Sequence, residues 1–253
     1  MKLYFSGIDK GKSNVLNEIR PENILISYWT IKNSSIVETI SRLEYSPTIF
    51  LDSGAFSAMT QGAKVSISDY GKFILKNRQY LEVYANLDVI YEPELTLDNQ
   101  KFLEEMNLSP LPVFHVGEEW KWLEMYCKKY DYVALGGMVP YAGKKTKLLK
   151  FMKKSFEIAK EHKTKLHGFG CNNSWLLNSF DFYSVDSRSW LMAHRNRTFV
   201  TESLKPITRE AFKEKFNINL SQLTDHQSLV LSMRKYANWE RRLNSKKIKH
   251  YWE

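Results

Sequence analysis

Short apolar runs in this chain repeatedly end on residues that can do chemistry. Asp52 closes Thr48-Ile-Phe-Leu, Asp88 closes Val83-Tyr-Ala-Asn-Leu, His115 closes Pro112-Val-Phe, and Asp186 closes Tyr183-Ser-Val. Gly136-Gly137 closes Val133-Ala-Leu, and His167-Gly-Phe-Gly170 follows Leu166. Two carboxylates facing one pocket can act as nucleophile and general acid/base at an anomeric carbon, which is how glycosidic bonds are cleaved with retention. Asp52 and Asp186 are the candidates. Ser53-Gly54-Ala55-Phe56 after Asp52 offers a backbone that a ligand can approach closely. Each residue also has an ordinary structural use: an Asp at a strand end caps helices, a buried histidine can simply bond a carbonyl, and Gly-Gly makes tight turns. Three Asp, two His and a Gly-Gly at matching positions are what point to a site.

These residues recur at about the spacing of one βα unit. Eight strands are expected, at Leu3–Ser6, Ile24–Tyr28, Thr48–Leu51, Glu82–Leu87, Leu111–His115, Tyr132–Leu135, Lys165–Phe169 and Phe182–Val185. Helical periodicity fills Ser68–Tyr80, Asp98–Met106, Glu118–Tyr130 and Lys147–His162. This alternation predicts an α/β fold, a (β/α)8 TIM barrel, in which the strand C-termini open onto one face and bring distant residues together. An open doubly wound sheet is the alternative. Residues 1–200 are expected to form the barrel and 201–253 a short, basic helical C-terminal extension, with helices at Thr208–Phe216, Leu220–Tyr236 and Trp239–Lys247 capped by Asn219 and Ser221.

The 253 residues carry a net charge of +9, unevenly placed. Nine Lys face only Glu157 and Glu161 between Lys144 and Lys165, ten Lys and Arg face five acids from Pro206 onward, and the remainder is slightly acidic. Two basic patches on a near-neutral body suit a polyanion such as nucleic acid, or else are solvated helix faces. No apolar stretch suits a membrane span and the N-terminus lacks a signal-peptide layout, so a cytoplasmic location is expected. Cys127 and Cys171 have no metal-ligand spacing, so neither a disulfide nor a metal is expected. Gly7-Ile-Asp-Lys-Gly11-Lys12-Ser13 has three residues between its glycines where a P-loop has four, and is set aside as a nucleotide cradle.

Taken in order, the motifs resemble the tRNA-guanine transglycosylase superfamily. Asp52-Ser-Gly-Ala-Phe-Ser57 is similar to its DSGGFQ motif, Leu87-Asp88 to its FD element, and Gly136-Gly137-Met138 to GGLAVGE. His167-Gly-Phe-Gly170 resembles its GVG turn and Asp186-Ser187 its nucleophile segment. The resemblance implies that Asp186 attacks C1′ and that Asp52 is the acid/base for the departing and incoming bases. It further implies base recognition by Asp88, Ser53, His115, Gly136, Gly137 and Met138, with Phe56 stacking on one face of the base and His167 on the other. Lys10, Lys12, Arg188, Arg195, Lys246 and Lys247 are expected to meet the nucleic-acid backbone. The family's cysteine-rich zinc motif is missing, and Ser187-Arg188-Ser189-Trp190 replaces its CVxPTR. The chain is therefore more similar to the short, zinc-free DNA-guanine transglycosylases, which implies guanine in DNA and a free 7-deazaguanine (preQ0-type) base as substrates, with no cofactor. Exchange on tRNA, a hydrolytic glycosylase and a non-enzymatic nucleic-acid-binding barrel are the alternatives.

Overall fold

The computed structural model describes residues 1–141, 143–171, 173–195, 198–200, 206–216 and 223–245. The elements run β1 (Lys2–Phe5), α1 (Ser13–Ile19), β2 (Asn23–Ser27), α2 (Tyr28–Ile31), α3 (Ile36–Ile40), β3 (Thr48–Asp52), α4 (Ala55–Thr60), α5 (Ile67–Asn77) and β4 (Val83–Tyr84). They continue α6 (Pro93–Glu105), β5 (Val113–His115), α7 (Trp120–Lys129), β6 (Tyr132–Gly136), α8 (Lys145–His162), β7 (Lys165–Gly168), α9 (Ser174–Leu177) and β8 (Ser184–Ser187). Last come α10 (Ser189–Arg195), a β9–β10 hairpin (Thr198–Val200, Pro206–Thr208), α11 (Arg209–Phe216) and α12 (Asp225–Ser245).

Strands β1 to β8 form one parallel sheet in the order β4-β3-β2-β1-β8-β7-β6-β5, curled in the manner of a TIM-like barrel. Its end strands are linked by a parallel bridge between Ala85 and Leu111. There the Leu111 N–H donates to the Tyr84 carbonyl at 2.8 Å, and the Asn86 N–H to the Leu111 carbonyl at 2.8 Å.

Side chains alternate across the sheet with the period of two that strands impose. Leu3, Phe5, Ile24, Ile26, Ile49, Phe114, Val133, Leu135, Leu166 and Val185 join the helices in the main core. The intervening positions, Tyr4, Leu25, Phe50, Ala85, Val113 and Ala134, pack together on the concave side. Two residues further along the same inward rows stand Ser6, Ser27, Asp52, His115 and Gly136, and Asp186 occupies the corresponding row of β8. The alternation that builds the core therefore aims these residues at one end of the sheet.

Several elements differ from the sequence expectation. Strand β8 begins and ends two residues later than Phe182–Val185, so Asp186 is an inward strand residue and not the first residue of a loop. Helix α6 begins a turn earlier than Asp98, because Pro93 suits a first helical turn. The two C-terminal helices expected at Leu220–Tyr236 and Trp239–Lys247 are one helix, α12, running through Ala237 and Asn238. Val230, Met233, Tyr236, Trp239 and Leu243 of α12 belong to the same core as β1, α1 and Trp190. Glu240 accepts the Leu3 N–H at 2.6 Å, which fixes the helix beside β1. Asn219 and Ser221 lie outside the described residues.

Candidate active site

The strand C-termini surround a cavity of about 590 Å³ whose lining includes Asp52, Asp88 and Asp186, a size usual for small-molecule sites. Asp52, at the end of β3, accepts a hydrogen bond from the Gly54 N–H at 3.1 Å. Burial first, and then the negative charges of Asp88 and Asp186, push its pKa up to about 7, against the Gly54 N–H and the adjacent Ser27 hydroxyl, which lower it. A carboxyl poised there exchanges protons readily near neutrality. Gly54 is required for this turn: its φ is +74°, and a Cβ would stand 2.4 Å from Trp29 Cβ and 2.5 Å from Ser27 Oγ.

Asp186 is only 7% exposed. The Gly170 N–H donates to its Oδ1 at 2.6 Å, and His167 Nε2 lies 3.7 Å from the same oxygen. Both neighbours fall on Oδ1. His167 is buried, and that burial lowers its pKa despite the proximity of Asp186. Its Nδ1 pairs with Ser184 Oγ at 2.6 Å, and Ser184 Oγ pairs with Tyr132 Oη at 2.5 Å.

Asp88 is held by two donors. Ser53 Oγ donates to Oδ1 at 3.2 Å, and His115 Nε2 meets Oδ2 at 2.8 Å. The other imidazole nitrogen meets Glu118 Oε1 at 2.8 Å, while the His115 backbone N–H donates to Glu118 Oε2 at 2.9 Å. Burial opposes a charged ring, but hydrogen bonds and charge from Asp88 and Glu118 overcome it and raise the His115 pKa to about 10. Both ring nitrogens of His115 thus face carboxylates, an arrangement that favours the charged ring. Gly136 is the β6 residue beside it, and a Cβ there would approach His115 Cδ2 to 2.8 Å.

Of the residues the sequence singles out, Asp186, Asp52, Asp88, Phe56, His115, Gly136, Gly137, Met138 and Arg188 all line this cavity. Ser53 lies behind it, reaching it only through Asp88. His167 does not offer a stacking face: it lies beneath the cavity, at 0% exposure, packed among Tyr4, Phe50 and Phe169. Its inward position on β7 puts it one layer too deep. His115 cannot hydrogen-bond a base edge, since both its nitrogens are committed, so any influence on a base passes through Asp88. Lys10 and Lys12 form a 3-10 turn on the same face, where Asp9 accepts the Gly11 N–H at 2.8 Å. Arg195 ends α10, and its side chain is outside the described set, as are Lys246 and Lys247.

Glu118 is the principal residue that sequence reasoning missed; the signal was a His-x-x-Glu spacing leaving a strand end. Gly170 reads from sequence only as a turn, although its N–H holds Asp186. Glu92 stands just before α6, with no side-chain hydrogen bond to the helix, and does not line the cavity, and Asp181 precedes β8 at the other end of the sheet. Among the described residues, no three His, Cys, Asp or Glu side chains are grouped to hold a metal ion, and no helix is long and apolar enough to cross a membrane. No family model and no curated protein matches this chain.

Proposed function

We propose that this protein is a base-exchanging guanine transglycosylase acting on nucleic acid, with DNA the favoured polymer and a free 7-deazaguanine (preQ0-type) base the second substrate. The observation that carries the reading is the pair Asp52 and Asp186 on one cavity, with Asp88 presented beside them as an acceptor. Asp186 attacks C1′, a C–O bond forms as C1′–N9 breaks, and the Asp52 carboxyl gives its proton to the departing guanine. Asp52, now a carboxylate, takes the N9 proton of the incoming base, whose N9 displaces Asp186 from C1′. Two displacements retain the configuration at C1′. Asp88 keeps lone pairs free on both oxygens to accept N1–H and 2-NH2 of guanine.

A closed (β/α)8 barrel is part of this reading. Extending the registers of the paired strands from Ala85 round the sheet and back across the Ala85–Leu111 bridge gives position 93, an offset of eight residues in one circuit. That is the shear of the TIM barrel. The cytoplasm, where nucleic acid and free bases meet, is the location that this reading implies.

The test is a trapped glycosyl adduct. Wild-type protein incubated with guanine-containing DNA and quenched should carry a nucleic-acid adduct that peptide mass analysis places on Asp186, and Asp186→Asn should form none while still binding DNA. An adduct on Asp52 would reverse the roles. Release of guanine without incorporation of labelled base would make the protein a hydrolase, and faster labelling of tRNA than of DNA would change the polymer.

A further inference from the structure

The cavity face is built asymmetrically. Within the stretch of the strand order from β6 through β7, β8 and β1 to β2, the segments following β6, β8, β1 and β2 carry Lys144, Lys145 and Lys147, then Arg188, then Lys10 and Lys12, then Lys32, with the cavity residue Asp9 paired to Lys12 at 3.7 Å among them. The segments following β4 and β5 carry Glu92, Glu94 and Glu119 instead, the last paired with Lys121 at 3.0 Å. A phosphate chain crossing the mouth is therefore favoured on the side from β6 to β2.

The cationic arc is interleaved with aromatic rings. Lys147 Nζ stands 4.0 Å and Lys144 Nζ 5.5 Å from the Tyr141 ring centroid, and Lys145 Nζ lies 5.1 Å from that of Trp175. On the far bank, Lys32 Nζ is 3.2 Å from the Trp29 ring. Tyr141 follows the cavity residue Pro140, Trp175 lies between Asn173 and Leu176, and Trp29 precedes Thr30, all cavity-lining positions. Around the opening itself, Phe56, Met59, Tyr91, Val139 and Met192 stay 40–66% exposed.

A duplex presents phosphates and sugars along its flanks, which satisfy the lysines and leave this apolar lip wet. Unstacked bases cover it, because every base has a π-face and an aromatic or thioether side chain meets it without regard to sequence. Taking the proposed transglycosylase as its premise, we infer that the polymer crosses this face as a single strand. Its phosphates follow the arc from Lys144 to Lys32, and the nucleotides flanking the target base are unstacked against the apolar lip.

Binding can be measured separately from chemistry with the Asp186→Asn protein and a fluorescein-labelled 20-nucleotide DNA, alone or annealed to its complement, by fluorescence anisotropy. The single strand should bind at least 10-fold more tightly than the duplex. The triple variant Tyr91→Ser, Val139→Ser, Met192→Ser should lose that advantage while keeping duplex affinity. Lys144→Gln, Lys145→Gln, Lys147→Gln should lower the slope of log affinity against log salt by about 0.7 for each phosphate of the single strand that is no longer neutralised. Duplex binding equal to or tighter than single-strand binding overturns the inference, as does a lip variant that binds like its parent or a protein that binds neither probe. If duplex is preferred while Asp186 still forms its adduct, the transglycosylase reading stands and only this inference falls. If no polymer yields an adduct but the single strand is preferred, the reverse holds.

Discussion

Two side chains make the folded state sensitive to pH in the same direction. The folded pKa of Asp52, about 7, lies above its ordinary value of 3.8, so the folded protein holds more protons than the unfolded chain between about pH 4 and 7. For His115 the window runs from 6.5 up to about 10. Stability contributed by each is present below its window and lost as pH rises through it, with a slope of at most about 1.4 kcal/mol per pH unit for one proton. Asp52→Asn should flatten the lower part of a denaturation-midpoint curve measured from pH 4 to 10. His115→Gln should flatten the upper part, and it also strands the Glu118 carboxylate, only 4% exposed, without a cation. Breaking such a buried pair costs about 3–5 kcal/mol. Adding Glu118→Gln should restore more than half of that loss. Additive effects in this double-mutant cycle would show that the two side chains do not work as a pair. The carboxylates were legible in the sequence because each ends an apolar strand. The His115–Glu118 pairing was not read, because the helical periodicity places Glu118 at the start of a helix, whereas α7 begins at Trp120 and Glu118 stands in the turn after β5.

The eight strands were visible as apolar runs because a parallel sheet covered by helices makes them so, and their ends were set only by pairing. Strand β8 shows the difference. Its sequence places Asp186 at the edge of a run, while its pairing with β1 sets Lys2 opposite Ser184 and Tyr4 opposite Asp186, drawing the aspartate into the strand. The short early helices α2, α3 and α4, of 4 to 6 residues, lack enough turns to leave a periodic signal and were not foreseen. The packing of β5 on β6 makes a further test. Gly136 faces the His115 ring, which cannot swing aside because both nitrogens are bonded. Gly136→Ala should therefore cost about 1–3 kcal/mol as overpacking does and should reduce any activity that depends on Asp88. Gly143→Ala, with no atom within 4 Å of the added methyl, serves as the control and should stay within about 0.5 kcal/mol of the parent. Equal effects at the two glycines, measured by urea denaturation, would mean that the β5–β6 packing is slack.

At the scale of the molecule, α12 carries structure and charge to different ends. Its apolar side chains are part of the main core, and its last described turn lies by the start of β1, where the amino group of Met1 donates to Asn244 Oδ1 at 2.9 Å. The strand C-termini and the cavity are at the other end of the sheet. Of the two basic segments, therefore, the one opening α8 borders the cavity, whereas the last described turn of α12 lies at the opposite end of the sheet, beside Met1. The sequence could not separate these, because charge counts do not record which end of a strand a helix returns to. Ending the chain at Ser245 should leave thermal stability and nucleic-acid affinity within twofold of the full protein, despite the removal of Lys246, Lys247 and Lys249. Ending it at Thr224 removes Val230, Met233, Tyr236, Trp239 and Leu243 together, and should yield no cooperative unfolding transition. Trp239→Ala gives the graded version, at about 3–5 kcal/mol for a large aromatic removed from a core. A chain ending at Ser245 that folds but binds nucleic acid tenfold more weakly would show that the last residues reach the polymer, and would return the C-terminal lysines to the binding face.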